Sequence, residues 1–341
     1  MVNFKYISLC ICTLLTIAAC STDGGSGTDP VQPSPTTKEK LPISINTSVA
    51  TRATDEAFEV GDQIGLFVVN REANGTANSL KTLGNYIDNM QFTYDGTWKA
   101  ASSIYWKDET THADFYLYYP YQKYINNVTA VPVQVKADQS DLADYKSSDM
   151  LIGKTLDVAP TNQAVKIEAK HMMSQAIVTL KAGNGFTDAS LASSLVNVRI
   201  NGLKSTALVN LSPGEVTATG NDTDIIPLKE DCIYKAIIVP QDVKEGNFIT
   251  INVDGSNYYL RRNSKFHAFE KGKKYNFTVT LSKTSSGINV NISQWEDDGI
   301  DYGGTANLKG HINEFIDIHL IIYITRRNRD TDRMQRPPFR R

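Results

Sequence analysis

Several residues of this 341-residue chain have types and spacings that occur in phosphate-binding or nucleophilic sites. Gly153-Lys154-Thr155 has the ending of a phosphate-binding loop, but Ser148 stands where that loop requires its first glycine. Cys232 follows Glu230-Asp231, whose negative charge disfavours a reactive thiolate. His171 is isolated in a strand-rich region, where packing is its ordinary role. Since the sequence also lacks the motifs of zinc proteases, serine hydrolases and dinucleotide-binding enzymes, we expect no enzyme and no cofactor.

A cluster of carboxylates late in the chain raises the question of a calcium site. Glu296, Asp297, Asp298 and Asp301 lie around Gly299, and carboxylate oxygens are ligands that calcium prefers. Their spacing does not match an EF-hand loop. We therefore expect a solvated acidic turn and no bound metal.

An aromatic run offers a possible platform for stacking sugars. It consists of Phe115, Tyr116, Tyr118, Tyr119 and Tyr121. Because side chains alternate between the two faces of a strand, about half of the run would be buried if it formed one. Core packing is therefore the default expectation for these rings.

Lipidation of Cys20 is the chemistry that the sequence supports best. Lys5 precedes an apolar stretch over residues 7–19, which has the length of a signal-peptide core and is too short to span a bilayer. Ile17-Ala18-Ala19 then leads into Cys20, an arrangement that resembles the lipobox of bacterial lipoproteins. The resemblance implies cleavage before Cys20 and acylation of its thiol and of the new amine, and several acyl chains give a stable anchor. We expect residues 1–19 to be a lipoprotein signal peptide and the protein to be exported.

The composition favours a β-sheet protein without disulfides. Removal of 19 residues leaves 322, enough for two domains, and the chain has 16 Tyr and 12 Phe among many Thr, Val, Ile and Asn residues. Cys10 and Cys12 leave with the signal peptide and Cys20 is lipidated, so that only Cys232 remains. An intramolecular disulfide and a cysteine metal cluster are therefore excluded.

The two ends of the mature chain differ in composition from its middle. Residues 20–40 are rich in Gly, Ser, Thr, Pro and Asp, which indicates a flexible tether. Residues 309–341 carry eight Lys or Arg and four Asp or Glu, and we treat them as an atypical basic tail. The net charge of the whole chain is −2, so the remainder sums to about −6.

Hydrophobic patterns between the tether and the tail predict short strands separated by turns. Strands at intervals of about eight to twelve residues indicate an all-β fold of sandwiches. We expect two tandem domains, over residues 41–160 and 161–308. Residues 143–148 and 189–194 are at most helical turns. The predicted strands are 43–47, 64–69, 89–93, 98–100, 104–106, 113–121, 164–169, 176–181, 195–200, 207–211, 234–239, 248–253, 258–262, 274–281 and 288–292.

An ordered set of short motifs resembles the fimbrillin-like lipoproteins of Gram-negative anaerobes. No single motif is diagnostic, but the set follows one order from about Leu41 to Leu308. After the lipobox come Thr51-Arg52-Ala53, Phe58-x-x-Gly61-Asp62-x-Ile64-Gly65-Leu66-Phe67, Tyr94-x-Gly96-x-Trp98, Ile104-Tyr105-Trp106, Asp114-Phe115-x-x-Tyr118-Tyr119-Pro120, His171-Met172-Met173-Ser174, Ile237-Ile238-Val239-Pro240-Gln241, Phe269-x-Lys271-Gly272-Lys273-x-Tyr275 and Ile292-Ser293-Gln294-Trp295.

The resemblance implies a fold, a location and a function. It implies two Greek-key sandwich domains of transthyretin-like topology, export as an outer-membrane lipoprotein, and assembly into surface fimbriae of the type V class. The expected partners are other fimbrial subunits, surface ligands of host or bacterial cells, and the outer membrane through the lipid anchor. A nucleic acid partner is not expected.

The family resemblance also implies a processing site. In well-known members an arginine-specific protease cuts near the first strand, the leader leaves with that strand, and a strand of a neighbouring subunit fills the groove. Arg52 and Ala53 flank the matching bond, and cleavage there would free the predicted strand 43–47. An ordinary loop arginine remains the alternative.

The basic tail and the role in the fimbria leave alternatives open. The tail departs from the family pattern, in which the chain usually stops soon after the region around Trp295. Three interpretations of the tail stay open: a donor strand, a sequence outside the family frame such as the product of a frameshift, or a segment that binds phosphate groups.

The role of the whole protein also stays open. The sequence does not distinguish a shaft subunit from an anchor or a tip subunit, nor a fimbrial subunit from a monomeric glycan-binding lipoprotein.

Overall fold

The computed structural model describes residues 40–49, 57–262, 264–283, 292–293 and 304–308. Within these ranges β-strands are the main secondary structure, and the two helices have six residues each. The predicted all-β class is therefore confirmed. No helix among these residues is long and apolar enough to cross a membrane.

Twenty strands and two helices follow one another along the described chain. In chain order they are β1 (Ile45–Val49), β2 (Gln63–Asn70), β3 (Ile87–Tyr94), β4 (Trp98–Ala100), β5 (Ala113–Tyr119), β6 (Val131–Gln134), α1 (Leu142–Ser147), β7 (Leu151–Val158), β8 (Val165–His171), β9 (Ser174–Ala182), α2 (Asp188–Ser193), β10 (Val196–Asn210), β11 (Glu215–Ile225), β12 (Leu228–Glu230), β13 (Ile233–Ile238), β14 (Gln241–Asp242), β15 (Asn247–Val253), β16 (Ser256–Arg261), β17 (Ala268–Phe269), β18 (Lys274–Ser282), β19 (Ile292–Ser293) and β20 (Gly304–Leu308).

The first sheet has seven strands in the order β1-β8-β7-β5-β2-β3-β4. The strand β2 lies inside this sheet between β5 and β3, and every residue from Ile64 to Val69 is buried. Ile64, Leu66 and Val68 face one apolar cluster, whereas Phe67 and Val69 face another. A strand that is covered on both faces explains the unbroken apolar run in the sequence.

The second sheet has eleven strands and encloses its own core. Its main path is β11-β10-β15-β16-β20-β18-β9-β13-β12, with β6 beside β10 and β19 beside β18. Buried side chains of β9, β10, β13, β15, β16 and β18 form one cluster, in which Phe266 packs edge-on against Phe269, Tyr275 and Phe277. Such tilted ring pairs stabilise a core beyond simple burial.

A third apolar cluster joins the two sheets. From the first sheet it contains Phe67 and Tyr118, and from the second Val209 and Ile237. The side chain of Gln139, which is fully buried, accepts a hydrogen bond from the Ile237 backbone N–H and donates one to the Ile237 carbonyl, both at 2.8 Å. The described residues between 40 and 308 accordingly belong to one compact unit.

Most predicted strands are confirmed, and three differences are informative. Residues 104–106 form no strand, because only Tyr105 makes an isolated bridge, to Pro42. The predicted strands 195–200 and 207–211 are one strand, β10, in which two register shifts and the positive φ of Gly202 absorb the turn-like residues between them. The strands β6, β7 and β11 were not predicted from the sequence, because apolar and polar residues do not alternate clearly enough in them. Residues 288–291 lie outside the described residues.

The division into domains at residue 160 stays a prediction. The strand β8 follows that position and belongs to the first sheet, whereas β6 precedes it and pairs with β10 of the second sheet. The two helical turns were predicted within one residue of α1 and α2.

Candidate functional site

The strand β1 lies at one edge of the first sheet, where β8 is its one neighbour among the described strands. It runs parallel to β8, with Ile45 opposite Val165 and Val49 opposite Ala169. A parallel edge strand can be withdrawn without breaking any other strand pairing in the sheet. Its removal would expose one row of backbone N–H and C=O groups along β8.

Apolar burial fixes this edge strand in the sheet. Ile43 is 6 % exposed and Ile45 is 5 % exposed, and both pack in the same cluster as Phe115 and Ile167. Complete burial of an isoleucine side chain stabilises by about 1.5–3 kcal/mol. Loss of the segment would therefore open an apolar slot as well as a backbone edge.

Specific hydrogen bonds add to this packing. Trp98 Nε1 donates to Thr47 Oγ1 at 2.6 Å, and the Ile43 backbone N–H donates to the Ile104 carbonyl at 2.9 Å. The Trp106 backbone N–H donates to the Leu41 carbonyl at 2.9 Å. Predicting the partnership of Trp98 with Thr47 from sequence alone was not possible, because the two residues lie 51 positions apart.

A cavity of about 40 Å³ lies where β1 ends. Val49 and Ala57, the described residues on either side of residues 50–56, both line it. The other described residues of its lining have apolar, aromatic and charged side chains. They are Phe58, Glu59, Asp62, Tyr119, Lys146, Asp149, Leu151 and His171.

Hydrogen bonds and ion pairs organise the charges around this cavity. His171 Nδ1 lies 2.6 Å from Asp149 Oδ2, and both side chains are largely buried. Lys146 Nζ lies 2.5 Å from Glu59 Oε1. The Asp62 carboxylate accepts hydrogen bonds from the Glu59 backbone N–H at 2.7 Å and from the Tyr119 hydroxyl at 3.2 Å. His171, predicted as a packing residue, thus forms a buried pair that its isolation in sequence did not indicate.

The predicted modification residues lie outside the described residues. They are Cys20, Arg52 and Ala53. The described strand β1 ends at Val49, three positions before Arg52 in the sequence. Lipidation and cleavage stay predictions.

Other candidate residues occupy structural positions. Gly153-Lys154-Thr155 lies within β7, where a Cβ atom at Gly153 would approach Ile167 Cγ2 to 2.7 Å. Gly153 therefore permits the close approach of β8, and the motif is no loop. Cys232 is a partly exposed free thiol between β12 and β13.

The aromatic run belongs mainly to the core, as expected for an alternating strand. Phe115, Tyr116 and Tyr118 are buried in β5. Tyr118 donates its hydroxyl to Asn89 Oδ1 at 2.7 Å, and burial raises the pKa of its phenol. The default expectation of core packing is therefore confirmed for these three rings.

The acidic turn around Gly299 lies outside the described residues, so its solvation stays a prediction. Among the residues that the structure does describe, no group of three or more His, Cys, Asp or Glu side chains is arranged to hold a metal ion.

Comparisons of the sequence identify a family and two relatives. The profile of the family described as fimbrillin-like matches residues 51–295. The chain is 29 % identical over 299 residues to the "Putative fimbrium subunit Fim1C" of Bacteroides uniformis, covering 84 % of this chain and 94 % of that protein. It is 28 % identical over 163 residues to the "Putative fimbrium tip subunit Fim1C" of Bacteroides ovatus, covering 42 % of this chain and 29 % of that protein.

Comparisons of the structure find the same fold in two crystal structures. Each is described as a putative cell adhesion protein, one from Bacteroides uniformis and one from Bacteroides ovatus. Both have a TM-score of 0.59, at 22 % and 18 % sequence identity. The matches cover 76 % and 78 % of this chain and 97 % and 99 % of the respective relatives.

Proposed function

The chain belongs to the fimbrillin-like family, and from this premise we propose that it is a structural and adhesive subunit of surface fimbriae that exchanges β1 for a strand of a neighbouring subunit. The observation that carries the proposal is the position of β1. Among the described strands it is an edge strand with one neighbour, its Ile45 side chain is buried, and it ends three residues before Arg52 in the sequence.

The energetics of β1 favour exchange over simple loss. Departure of residues 43–49, which include β1, exposes the sites of two buried isoleucines, Ile43 and Ile45, at a cost of about 3–6 kcal/mol from burial alone. While the chain is intact, the tethered strand also rebinds at once. Cleavage at Arg52 removes that tether, and a second chain then supplies an equivalent strand by β-augmentation.

Strand exchange of this kind produces a filament. The donor strand of one subunit enters the groove of the next, so the contact is head-to-tail. A head-to-tail contact that does not close on itself propagates as an open polymer. The proposed partners are therefore further fimbrial subunits, and surface ligands of host or bacterial cells at the exposed faces.

Cleavage at Arg52 is tested on the purified chain without residues 1–19. An arginine-specific protease should produce a new N-terminus at Ala53, together with denaturation-resistant ladders and filaments in electron micrographs. The variant Arg52→Ala should keep its leader and stay monomeric. Arg199→Ala, which removes an exposed arginine of β10, is the matched control and should behave as the unaltered chain.

Two outcomes would contradict the shaft-type assignment. Filaments formed equally well by Arg52→Ala would remove Arg52 from the mechanism. A cut at Arg52 without any assembly would favour an anchor, a tip or a monomeric glycan-binding lipoprotein, the last of which should shift in gels that contain polysaccharide.

Lipid anchoring at Cys20 is the proposed route to the outer membrane. Because acyl chains supply the membrane affinity, Cys20→Ser should abolish labelling by a radioactive fatty acid and release the protein from the membrane fraction. Cys232→Ser is the control and should change neither. Fatty-acid labelling that persists in Cys20→Ser would refute this anchor.

A further inference from the structure

Hydrogen bonds connect the two edge strands of the first sheet. The strand β1 lies at one end of the strand order and β4 lies at the other. Trp98 of β4 nevertheless donates its indole N–H to Thr47 Oγ1 of β1 at 2.6 Å, and the Ile43 backbone N–H donates to the Ile104 carbonyl, shortly after β4. The sheet therefore curls far enough for β4 and the segment after it to form one wall of the slot that β1 fills.

The indole of Trp98 has little freedom to turn within this wall. It is 8 % exposed. The ring of Phe58 lies edge-on to it, with centroids 4.9 Å apart, and the ring of Tyr94 lies at 5.1 Å. Within the described part of the chain, Thr47 Oγ1 is the acceptor of the indole N–H. A strand that replaces β1 covers this donor again and must supply an acceptor, because a buried donor without a partner is destabilising.

The slot contacts alternate side chains of residues 43–49, and its positions differ in chemistry. Ile43 and Ile45 are buried among apolar residues, and Val49 packs against the same cluster. Thr47 lies between Ile45 and Val49 on this face, opposite Ile167 of β8. Three positions therefore favour apolar side chains, and the fourth favours a small side chain with an oxygen. A strand that slipped by two residues would bring Ile45 or Val49 to the indole N–H.

We propose that Trp98 is a specificity-determining residue for strand exchange, which selects donor strands that carry threonine or serine at the position of Thr47. The proposal rests on the strand exchange described above and adds the chemistry of the partner strand. The donor has apolar residues at the positions of Ile43, Ile45 and Val49, and its hydroxyl oxygen accepts from Trp98 Nε1. A strand with valine at the position of Thr47 has nearly the same shape but leaves the indole N–H unpaired.

Peptides with the sequence of residues 41–49 test this selection. The parent peptide carries a fluorophore and is bound to the Arg52-cleaved protein, and unlabelled peptides displace it in an assay of fluorescence anisotropy. We expect the peptide with Thr47→Val to bind at least about tenfold more weakly than the parent, because it offers no acceptor. The peptide with Thr47→Ser should lose less. Ser48→Ala removes a hydroxyl from the exposed face, and this peptide should bind as the parent does.

Two variants of the protein separate the indole hydrogen bond from other effects. Trp98→Phe keeps an aromatic ring but has no N–H, so the valine peptide should bind to it as tightly as the parent peptide does. Trp106→Phe is the matched control, because Trp106 is 4 % exposed and donates its Nε1 to the Thr161 carbonyl at 3.1 Å, outside β1. This control should keep the full difference between the two peptides. A difference that persisted in Trp98→Phe would refute selection by Trp98.

The outcomes distinguish this selection from strand exchange itself. Equal binding of the threonine and valine peptides to the unaltered protein would overturn the selection and leave strand exchange intact. Failure of every peptide to bind would refute strand exchange, and the selection with it. Because the comparison of peptides uses the unaltered protein, its result decides the question even if Trp98→Phe does not fold.

Discussion

At the scale of the residue, Thr47 links β1 to the opposite side of the first sheet. Its hydroxyl is the acceptor for the indole N–H of Trp98, which is 8 % exposed. Valine has nearly the same shape as threonine but no oxygen. A substitution to valine would therefore leave a buried donor without a partner.

Thr47→Val should lower the free energy of unfolding by about 1–3 kcal/mol. The measurement is urea unfolding of the chain without residues 1–19. Thr47→Ser, which keeps the hydroxyl, is the control and should lose less. A valine variant as stable as the parent would show that the short contact with Trp98 contributes nothing to the attachment of β1.

At the scale of the element, β1 combines a buried face with an exposed one. Ile45 is buried, whereas Asn46 and Ser48 are exposed. This alternation is why the sequence predicts a strand here, and why a substitution on one face should matter more than one on the other.

Ile45→Ala should destabilise the chain by about 2–4 kcal/mol, because it removes buried methyl groups and leaves a cavity. After cleavage at Arg52, the same variant should release its leader faster than the parent does. Both quantities are measured, by chemical unfolding and by size-exclusion chromatography of the cleaved protein. Asn46→Ala, on the exposed face, should change neither, and equal effects of the two substitutions would refute the burial of Ile45.

At the scale of the whole molecule, the shared apolar cluster couples the two sheets. Val209 of β10 is fully buried in this cluster, whereas its neighbour Leu208 is 40 % exposed. Because residues of both sheets bury the same surface, neither half keeps its full core when the other unfolds. A single cooperative transition is the expected behaviour.

Val209→Ala should therefore destabilise both sheets together, by about 1–3 kcal/mol. In a Trp295→Phe background, fluorescence of Trp98 and Trp106 reports on the first sheet, and hydrogen exchange of β15 and β18 reports on the second. The two transitions should coincide and shift equally. Leu208→Ala should leave them in place, and a shift confined to one probe would show that the sheets unfold independently.

Hydrophobic periodicity predicted strands best where the burial of successive residues followed a regular pattern. The interior strand β2 is covered on both faces and appears as an unbroken apolar run, and β18 alternates regularly from Lys274 to Leu281. By contrast, β11 was missed, because most of its side chains are polar and its place depends on hydrogen bonds with β10. The cavity was also missed, since Asp62, Asp149 and His171 are far apart in sequence.

The sequence by itself determined the all-β class, the family and the residues proposed for modification, Cys20 and Arg52. These features depend on local order along the chain, as motifs, alternation and turn residues do. Only the tertiary structure decided that β1 is a parallel edge strand on β8, that one apolar cluster joins the two sheets, and that a cavity lined in part by carboxylates lies at the end of β1. Each of these joins residues distant in sequence, and such pairings are fixed by the burial and hydrogen bonding of the whole fold rather than by any local pattern.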